Sequence, residues 1–384
     1  MYDTAVAGPL DRLTAPPYDV ISESRRRSYL DGSPYNIVHL DLAEGGHDPT
    51  SAHGRYEGAG ELLSAWREGG VLRPTGPAYF AYELRFLMQG RRRAVRGVFC
   101  AMQLEDLGDL VLPHEETMEG PIEDRLRLLR ATATHISAIY GTVAGPCAPL
   151  AASLDRTMTH DPLASVLDRE GVEHRMWLLE PEEPLDEWLA GEPLLIADGH
   201  HRYATALAYR AERHRADGPG PWDRILTLVV DATTEDVPVL PYHRVQQDGR
   251  PPAGGQRVPD LAEALASLED GDLRYATVAR ATGSRVEYRI HRLQGDPPTV
   301  RALHDQVLDG MPASDELRFT HDAEDADEVV RNGQATVAYL LPPTTPERIR
   351  AVVEGGGRLP RKSTFFWPKP RTGMVLMPLH ATDA

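Results

Sequence analysis

A carboxylate, a glycine, two imidazoles and a guanidinium follow one another in Asp198-Gly199-His200-His201-Arg202. The residues before them, Leu194-Leu195-Ile196-Ala197, form a short apolar run that predicts a buried strand. After them, Tyr203, Ala206, Leu207 and Arg210 fall at helical intervals with alanine-rich spacing, which predicts a helix to about Ala216. A glycine at a strand-to-helix turn lets the backbone approach a ligand closely. The helix behind it offers N–H groups and a partial positive charge at its start. Such a turn is a natural anion site, with phosphate as the usual occupant. His200, His201 and Arg202 would add donors, while Asp198 would hold a cation or orient a histidine. The plainer alternative is a surface turn whose polar residues cap a helix.

A second cluster lies in Pro113-His114-Glu115-Glu116-Thr117-Met118-Glu119. Glu115 beside His114 has the chemistry of a general base. Thr117 or Glu119 can equally be helix-start chemistry. The helix after it is predicted to turn Leu126, Leu129 and Ala133 inward, with Asp124, Arg125, Arg127 and Arg130 mostly outward. Near the N-terminus, Tyr18, Asp19, Asn36 and His39 could reach a pocket, or Asn36 and Asp19 could satisfy loop backbone. At the other end, Lys362, Ser363 and Thr364 either touch a phosphate or stand beside Phe365, Phe366 and Trp367 as these anchor the chain in the core. The second reading is slightly favoured.

Other elements must position these clusters. Ser22 is placed to cap a helix through Tyr29-Leu30, and Pro34 to Leu40 reads as a loop entering a strand. Residues 52–70 predict a helix. Ala78–Met88 and Ala94–Gln103 predict a hairpin turning at Arg91-Arg92-Arg93. Further on come a strand at 137–143, a helix at 150–169 and strands at 174–179, 225–231 and 239–245. The stretch 250–255, rich in proline and glycine, reads as a boundary. Beyond it, strands such as 336–341 alternate with helices such as 261–268 and 347–353.

Composition narrows the field. Of 384 residues, 41% are hydrophobic and 26% charged, as in globular proteins, and no apolar run is long enough for a membrane span. The formal net charge of −17 argues against a nonspecific grip on DNA or anionic lipid. Two cysteines, Cys100 and Cys147, cannot build a disulfide framework, and the first residues show no signal peptide, so a cytoplasmic location is expected. Neither a Walker-type phosphate loop nor the His-Arg-Asp and Asp-Phe-Gly pair of protein kinases occurs.

Ala15-Pro16-Pro17-Tyr18-Asp19-Val20-Ile21, Pro113-His114-Glu115, Ala197 to Tyr203 and Lys362-Ser363-Thr364-Phe365-Phe366 together resemble a bacterial domain-of-unknown-function family, DUF1015, over nearly the whole chain. Two of the motifs also resemble the free-serine kinases of the ParB/sulfiredoxin superfamily. That resemblance implies Glu115 as the base that deprotonates a substrate hydroxyl. It also implies Gly199, His200, His201 and Arg202 around nucleotide phosphates, and Asp198 holding Mg²⁺ or orienting a histidine. The interval between Glu115 and Asp198 is much longer than in those kinases, so the acceptor and the nucleotide can differ.

The expectation is therefore an α+β fold with a ParB/sulfiredoxin-like nucleotide-binding core at 111–248, between an N-terminal α/β region (1–110) and a C-terminal one (256–384). The expected function is an ATP- or ADP-dependent, Mg²⁺-assisted kinase acting on a hydroxyl of a serine-like small molecule. Glu115, His114 and Asp198 are the catalytic candidates. Asp198, Gly199, His200, His201, Arg202 and Thr205 are those for the nucleotide, and Asp198 and Glu115 those for the metal. Tyr18, Asp19, Asn36 and His39 are assigned to the substrate. The partners are a nucleotide and the hydroxyl compound, with neither nucleic acid nor membrane. The alternatives are a noncatalytic nucleotide-binding regulator, a CTP-dependent DNA-binding protein of the ParB kind, and a metal-dependent hydrolase using His114, Asp198, His200 and His201.

Overall fold

A computed structural model describes residues 1–43, 52–143, 145–268, 273–280, 285–295, 298–309 and 317–380. Helices and several sheets are mixed along the chain, so the fold is α+β. The chain groups into two compact units, and neither is one continuous span. The first comprises residues 1–113, 117–236 and 368–384, and the second residues 114–116 and 237–367.

The first unit is built on an eight-stranded sheet. Its strands lie in the order Val111–Leu112, Leu194–Asp198, Ile139–Val143, Arg224–Asp231, Arg91–Gln103, Tyr79–Met88, Glu173–Leu179 and Ala164–Leu167. The sheet thus takes strands from both sides of residue 110. Val111–Leu112 runs parallel to Leu194–Asp198, and Ile139–Val143 parallel to Arg224–Asp231, while the remaining pairs are antiparallel. Strands buried on both faces need near-continuous apolar runs, which is why Leu194-Leu195-Ile196-Ala197 and Ile225 to Val230 were legible. The helices Ala52–Glu68, Glu119–Thr132 and His200–Asp217 also belong to this unit.

The second unit carries an antiparallel six-stranded sheet in the order Gln256–Val258, Val286–Arg292, Arg274–Arg280, Val337–Leu340, His243–Gln246 and Leu317–Thr320. The amphipathic helix Ala323–Arg331 buries Ala326, Val329 and Val330 against this sheet's core. A separate ribbon pairs Val239–Pro241 with Thr364–Phe366.

Several local expectations are corrected. The hairpin turns at Gln89 and Gly90, whose φ angles of 49° and 73° are both positive, as a type I′ turn requires. The arginines are therefore strand residues, with Arg91 opposite Met88 and Arg93 opposite Phe86. Residues 150–169 are not one helix: Ala148–Thr157 is helical, and Ala164–Leu167 is a strand with alternating burial. Pro162 rules out one helix through residue 169, because the residue before a proline, Asp161, is driven out of helical geometry. The strand expected after Pro34 is instead a single helical turn, Val38–Asp41. There the Asn36 side chain accepts a hydrogen bond from the Val38 N–H and starts the turn. The strand expected at 239–245 divides at Tyr242 and joins two different sheets. Arg125, expected outward, is buried against Asp41, to which it donates at 2.7 Å.

Candidate functional site

Leu194–Asp198 emerges from the first unit's sheet, and Gly199 turns the chain into the helix His200–Asp217. Gly199 has φ of 98°, in the left-handed region. A Cβ there would stand 2.9 Å from Ile139 Cγ2 and 3.0 Å from Arg202 Nε. Conformation and space together demand glycine at this point. The residue at the N-cap position, Gly199, has no side chain with which to cap the helix.

Arg202 folds back over the turn. It donates to the second oxygen of Asp198 and to Ser137 Oγ at 2.6 Å, and also bonds the Ala138 carbonyl. The first oxygen of Asp198 takes the Lys369 ammonium, which also reaches Asp19 at 3.2 Å. The Lys369 side chain is only 6% exposed. Asp198 is thus held between a guanidinium and an ammonium, and the start of the long helix adds a further positive end. Each oxygen of Asp198 already carries a cation, so these residues do not fit a ready carboxylate site for Mg²⁺. A Mg²⁺ ion would have to be held chiefly by nucleotide phosphates.

The other predicted members fall into place unevenly. Of the two histidines, His201 presents Nε2 as acceptor to the Met118 N–H at 3.1 Å, so that nitrogen is unprotonated and serves the start of the helix Glu119–Thr132. His200 lies half-buried in the first turn of its helix. Thr205 is buried and donates to the Ile122 carbonyl at 3.3 Å. Tyr18 lies under the Arg125 guanidinium, 4.4 Å from its ring centre. Burial raises the Tyr18 phenol pKa, and the nearby Arg202 charge opposes that rise. Asp41, which is buried, has its pKa raised by desolvation against the pull of Arg125 and Arg202. Tyr18 and Asp19 therefore belong to the surroundings of the turn. Asn36 and His39 are engaged in local loops: Asn36 bonds Arg12 and Val38, and His39 bonds the Ser33 carbonyl at 3.0 Å.

His114 and Glu115 belong to the second unit. The backbone N–H groups of Lys362, Ser363 and Thr364 donate to the Glu115 carboxylate at 3.2, 3.0 and 3.3 Å. The Thr364 hydroxyl adds a contact at 3.3 Å. Consecutive N–H groups curling around one anion form a backbone nest, and here the anion is Glu115 itself. His114 is fully buried, with Nε2 bonded to Thr364 Oγ1 at 2.7 Å. Nearby, the buried Arg244 bonds the Tyr242 carbonyl, and burial pushes its pKa down to about 10 while the charge of Glu115 works against that shift. Phe365 and Phe366 are buried, so the terminal segment does anchor in a core.

Sequence reasoning assigned no role to Lys369. Its signal was weak: a lysine between two prolines after an aromatic triplet, far along the chain from Asp198. Among the described residues, no group of three or more histidine, cysteine or carboxylate side chains gathers as a metal would need. Nor is any described helix long and apolar enough to cross a membrane.

No curated protein matches the chain. Among solved structures it is similar to a free serine kinase in complex with AMP, at 17% identity and a TM-score of 0.38, over 74% of this chain and 91% of that one. It is also similar to a conserved hypothetical protein from Pyrococcus furiosus, at 16% identity and TM-score 0.35, over 71% of this chain and 93% of that one. A third is SbnI with C-terminal truncation from Staphylococcus aureus, at 11% identity and TM-score 0.38, over 71% and 85%. The family model described as protein of unknown function (DUF1015) matches residues 2–295, more than half of the chain, and the protein belongs to that family.

Proposed function

We propose that the protein is a nucleotide-dependent phosphotransferase whose nucleotide phosphates sit at the start of the helix His200–Asp217. The observation that carries this reading is the turn itself: a buried strand, a glycine fixed in left-handed geometry, and a long helix that starts directly on that glycine. Helix starts of this kind bind phosphate through N–H groups and the helix dipole. Lys369 and Arg202, both held on Asp198, bring positive charge to the same place. Phosphoryl transfer needs positioning and charge neutralisation more than covalent help, so such a cradle supplies most of what the chemistry asks. The same reading assigns the strand, turn and helix to a nucleotide-binding core of the ParB/sulfiredoxin kind.

In the proposed reaction, the hydroxyl oxygen of a serine-like small molecule bonds to the terminal phosphorus of ATP or ADP. The bridging oxygen leaves with the shortened nucleotide, and the hydroxyl proton passes to a carboxylate. The motif resemblance singles out Glu115 for that last role. A second reading, a nucleotide-binding regulator without turnover, is favoured by one observation: the Glu115 oxygens already receive three backbone donors and a hydroxyl.

Thermal shift with ATP, ADP, CTP and GTP, with and without Mg²⁺, tests the first step, because a ligand that binds the folded state raises its apparent stability. An adenine-nucleotide shift that is lost in Lys369→Met is expected, and no shift with any nucleotide would sink the reading. Glu115→Gln then separates the two functions. Under the phosphotransferase reading it keeps the nucleotide shift and loses transfer, and normal turnover in that variant would refute the assigned base.

A further inference from the structure

The second unit holds a cavity of about 410 Å³ whose lining is mostly carbon. Ile349 and Val352 reach it from the helix Pro346–Glu354, Val300 from the helix Thr299–Leu303, and Leu273, Leu341 and Leu359 from chain outside these two helices. An apolar space of a few hundred Å³ with a small number of polar groups is the usual form of a small-molecule site. For scale, a cavity of about 150 Å³ accepts benzene. This one has room for a body larger than a single aromatic ring, and carbon makes up more of its lining than polar atoms do.

Charge enters the cavity on one side. Among the described lining residues, Arg348 is the one that carries charge, and it is exposed to solvent. It stands in the first turn of the helix Pro346–Glu354, where the helix dipole is also positive. The opposite chemistry is found at Ser363 and Thr364, which line the cavity and whose N–H groups hold Glu115. One segment, Leu359 to Thr364, is therefore both a wall of the cavity and the seat of that carboxylate.

We propose that this cavity binds a small molecule with an apolar body and one carboxylate, the carboxylate lying at Arg348 and the body filling the space between the two helices. Its role as the phosphate acceptor rests on the phosphotransferase reading; its binding does not. On that reading the acceptor is a hydroxy acid whose apolar body is larger than that of serine itself.

The test is calorimetric titration of the full chain, without nucleotide, using 4-phenylbutyrate and its neutral counterpart 4-phenyl-1-butanol. Wild type should bind both, the carboxylate more tightly. Arg348→Gln changes an exposed residue and should weaken the carboxylate roughly two- to fivefold, leaving the alcohol unchanged. Val352→Trp, checked for native melting by circular dichroism, should weaken both probes by more than about tenfold by filling the space. Absence of binding by both probes at millimolar concentration overturns the proposal, as does wild-type affinity in Val352→Trp. Equal affinity of Arg348→Gln and wild type for the carboxylate overturns the place of the anionic end. A nucleotide shift without probe binding defeats the cavity alone, and probe binding without a nucleotide shift defeats phosphotransfer alone.

Discussion

Asp198 and Glu115 are both carboxylates in short motifs that read as phosphate chemistry, yet their surroundings differ in kind. Asp198 is gripped by cationic side chains, the guanidinium of Arg202 and the ammonium of Lys369. Glu115 is gripped by backbone, through three successive N–H groups at Lys362, Ser363 and Thr364. Side-chain cations can exchange one anion for another by rotating about their bonds, whereas a backbone nest is fixed by the fold. The first arrangement is therefore suited to receiving an incoming phosphate, and the second to holding a carboxylate in one place. Both turns also use left-handed backbone, with Gly199 at φ 98° and Lys362 at φ 53°.

The sharpest way to break this contrast is at Gly199. Gly199→Val combines left-handed strain with a Cβ pressed against Ile139, and each effect costs about 1–3 kcal/mol. We expect a loss of about 4 kcal/mol in urea unfolding together with loss of the nucleotide shift. A variant as stable as wild type would mean that the turn relaxes freely and is no rigid cradle.

Acid should weaken both units. His135 in the first unit has its pKa lowered to about 4, and His243 in the second to about 3, burial being the main cause in each. Both folded values lie below the unfolded value near 6.5, so between them the unfolded chain binds more protons and stability falls as pH falls. Above pH 6.5 these groups contribute no slope. His135 alone accounts for about 3 kcal/mol lost between pH 6.5 and 4, at 1.36 kcal/mol per unit. Urea midpoints measured from pH 7.5 to 4.5 should be flat and then decline; a rise on acidification would contradict the neutral, buried state of these rings.

Matched amide substitutions then compare the two carboxylates directly. Asp198→Asn leaves Arg202 without its carboxylate and Lys369 with Asp19 alone, and should cost about 2 kcal/mol, with a change in nucleotide affinity. Glu115→Gln sets an NH₂ group against N–H donors and should cost about 1–2 kcal/mol, with nucleotide affinity unchanged. Melting temperature and nucleotide titration on the pair decide the matter. If Glu115→Gln alters nucleotide affinity more than Asp198→Asn, the roles given to the two clusters are reversed.

What the sequence made visible was local. The strand, the glycine and the helix around residue 199 are legible because apolar run, turn residue and helical period follow one another within a short stretch. The hairpin at residues 79–103 is legible for the same reason, though its turn moved to Gln89 and Gly90 because backbone twist decides the turn type. Lys369 was not legible, since nothing local links it to an aspartate 171 residues away. Nor was the nest around Glu115, whose donors lie 247 to 249 residues further on. Asn36 shows the converse case. A polar residue that reads as a site member is consumed by a local turn, because its side chain finds the nearest unsatisfied N–H.

The smallest expected effect bears on why one turn uses glycine and the other lysine. Lys362 adopts φ 53°, which costs a non-glycine residue about 1 kcal/mol, and its ammonium lies 5.1 Å from the centre of the Tyr242 ring. A cation over an aromatic face returns about 0.5–1 kcal/mol at such a site. Lys362→Ala removes the cation and keeps the strain, so it should lower stability by about 0.5–1 kcal/mol. Lys362→Gly removes both and should fall within about 0.5 kcal/mol of wild type, since the two changes oppose each other. Equal losses in the two variants would show that the left-handed geometry at 362 carries no strain. The rigidity contrast between the two turns would then rest on the close contacts at Gly199 alone.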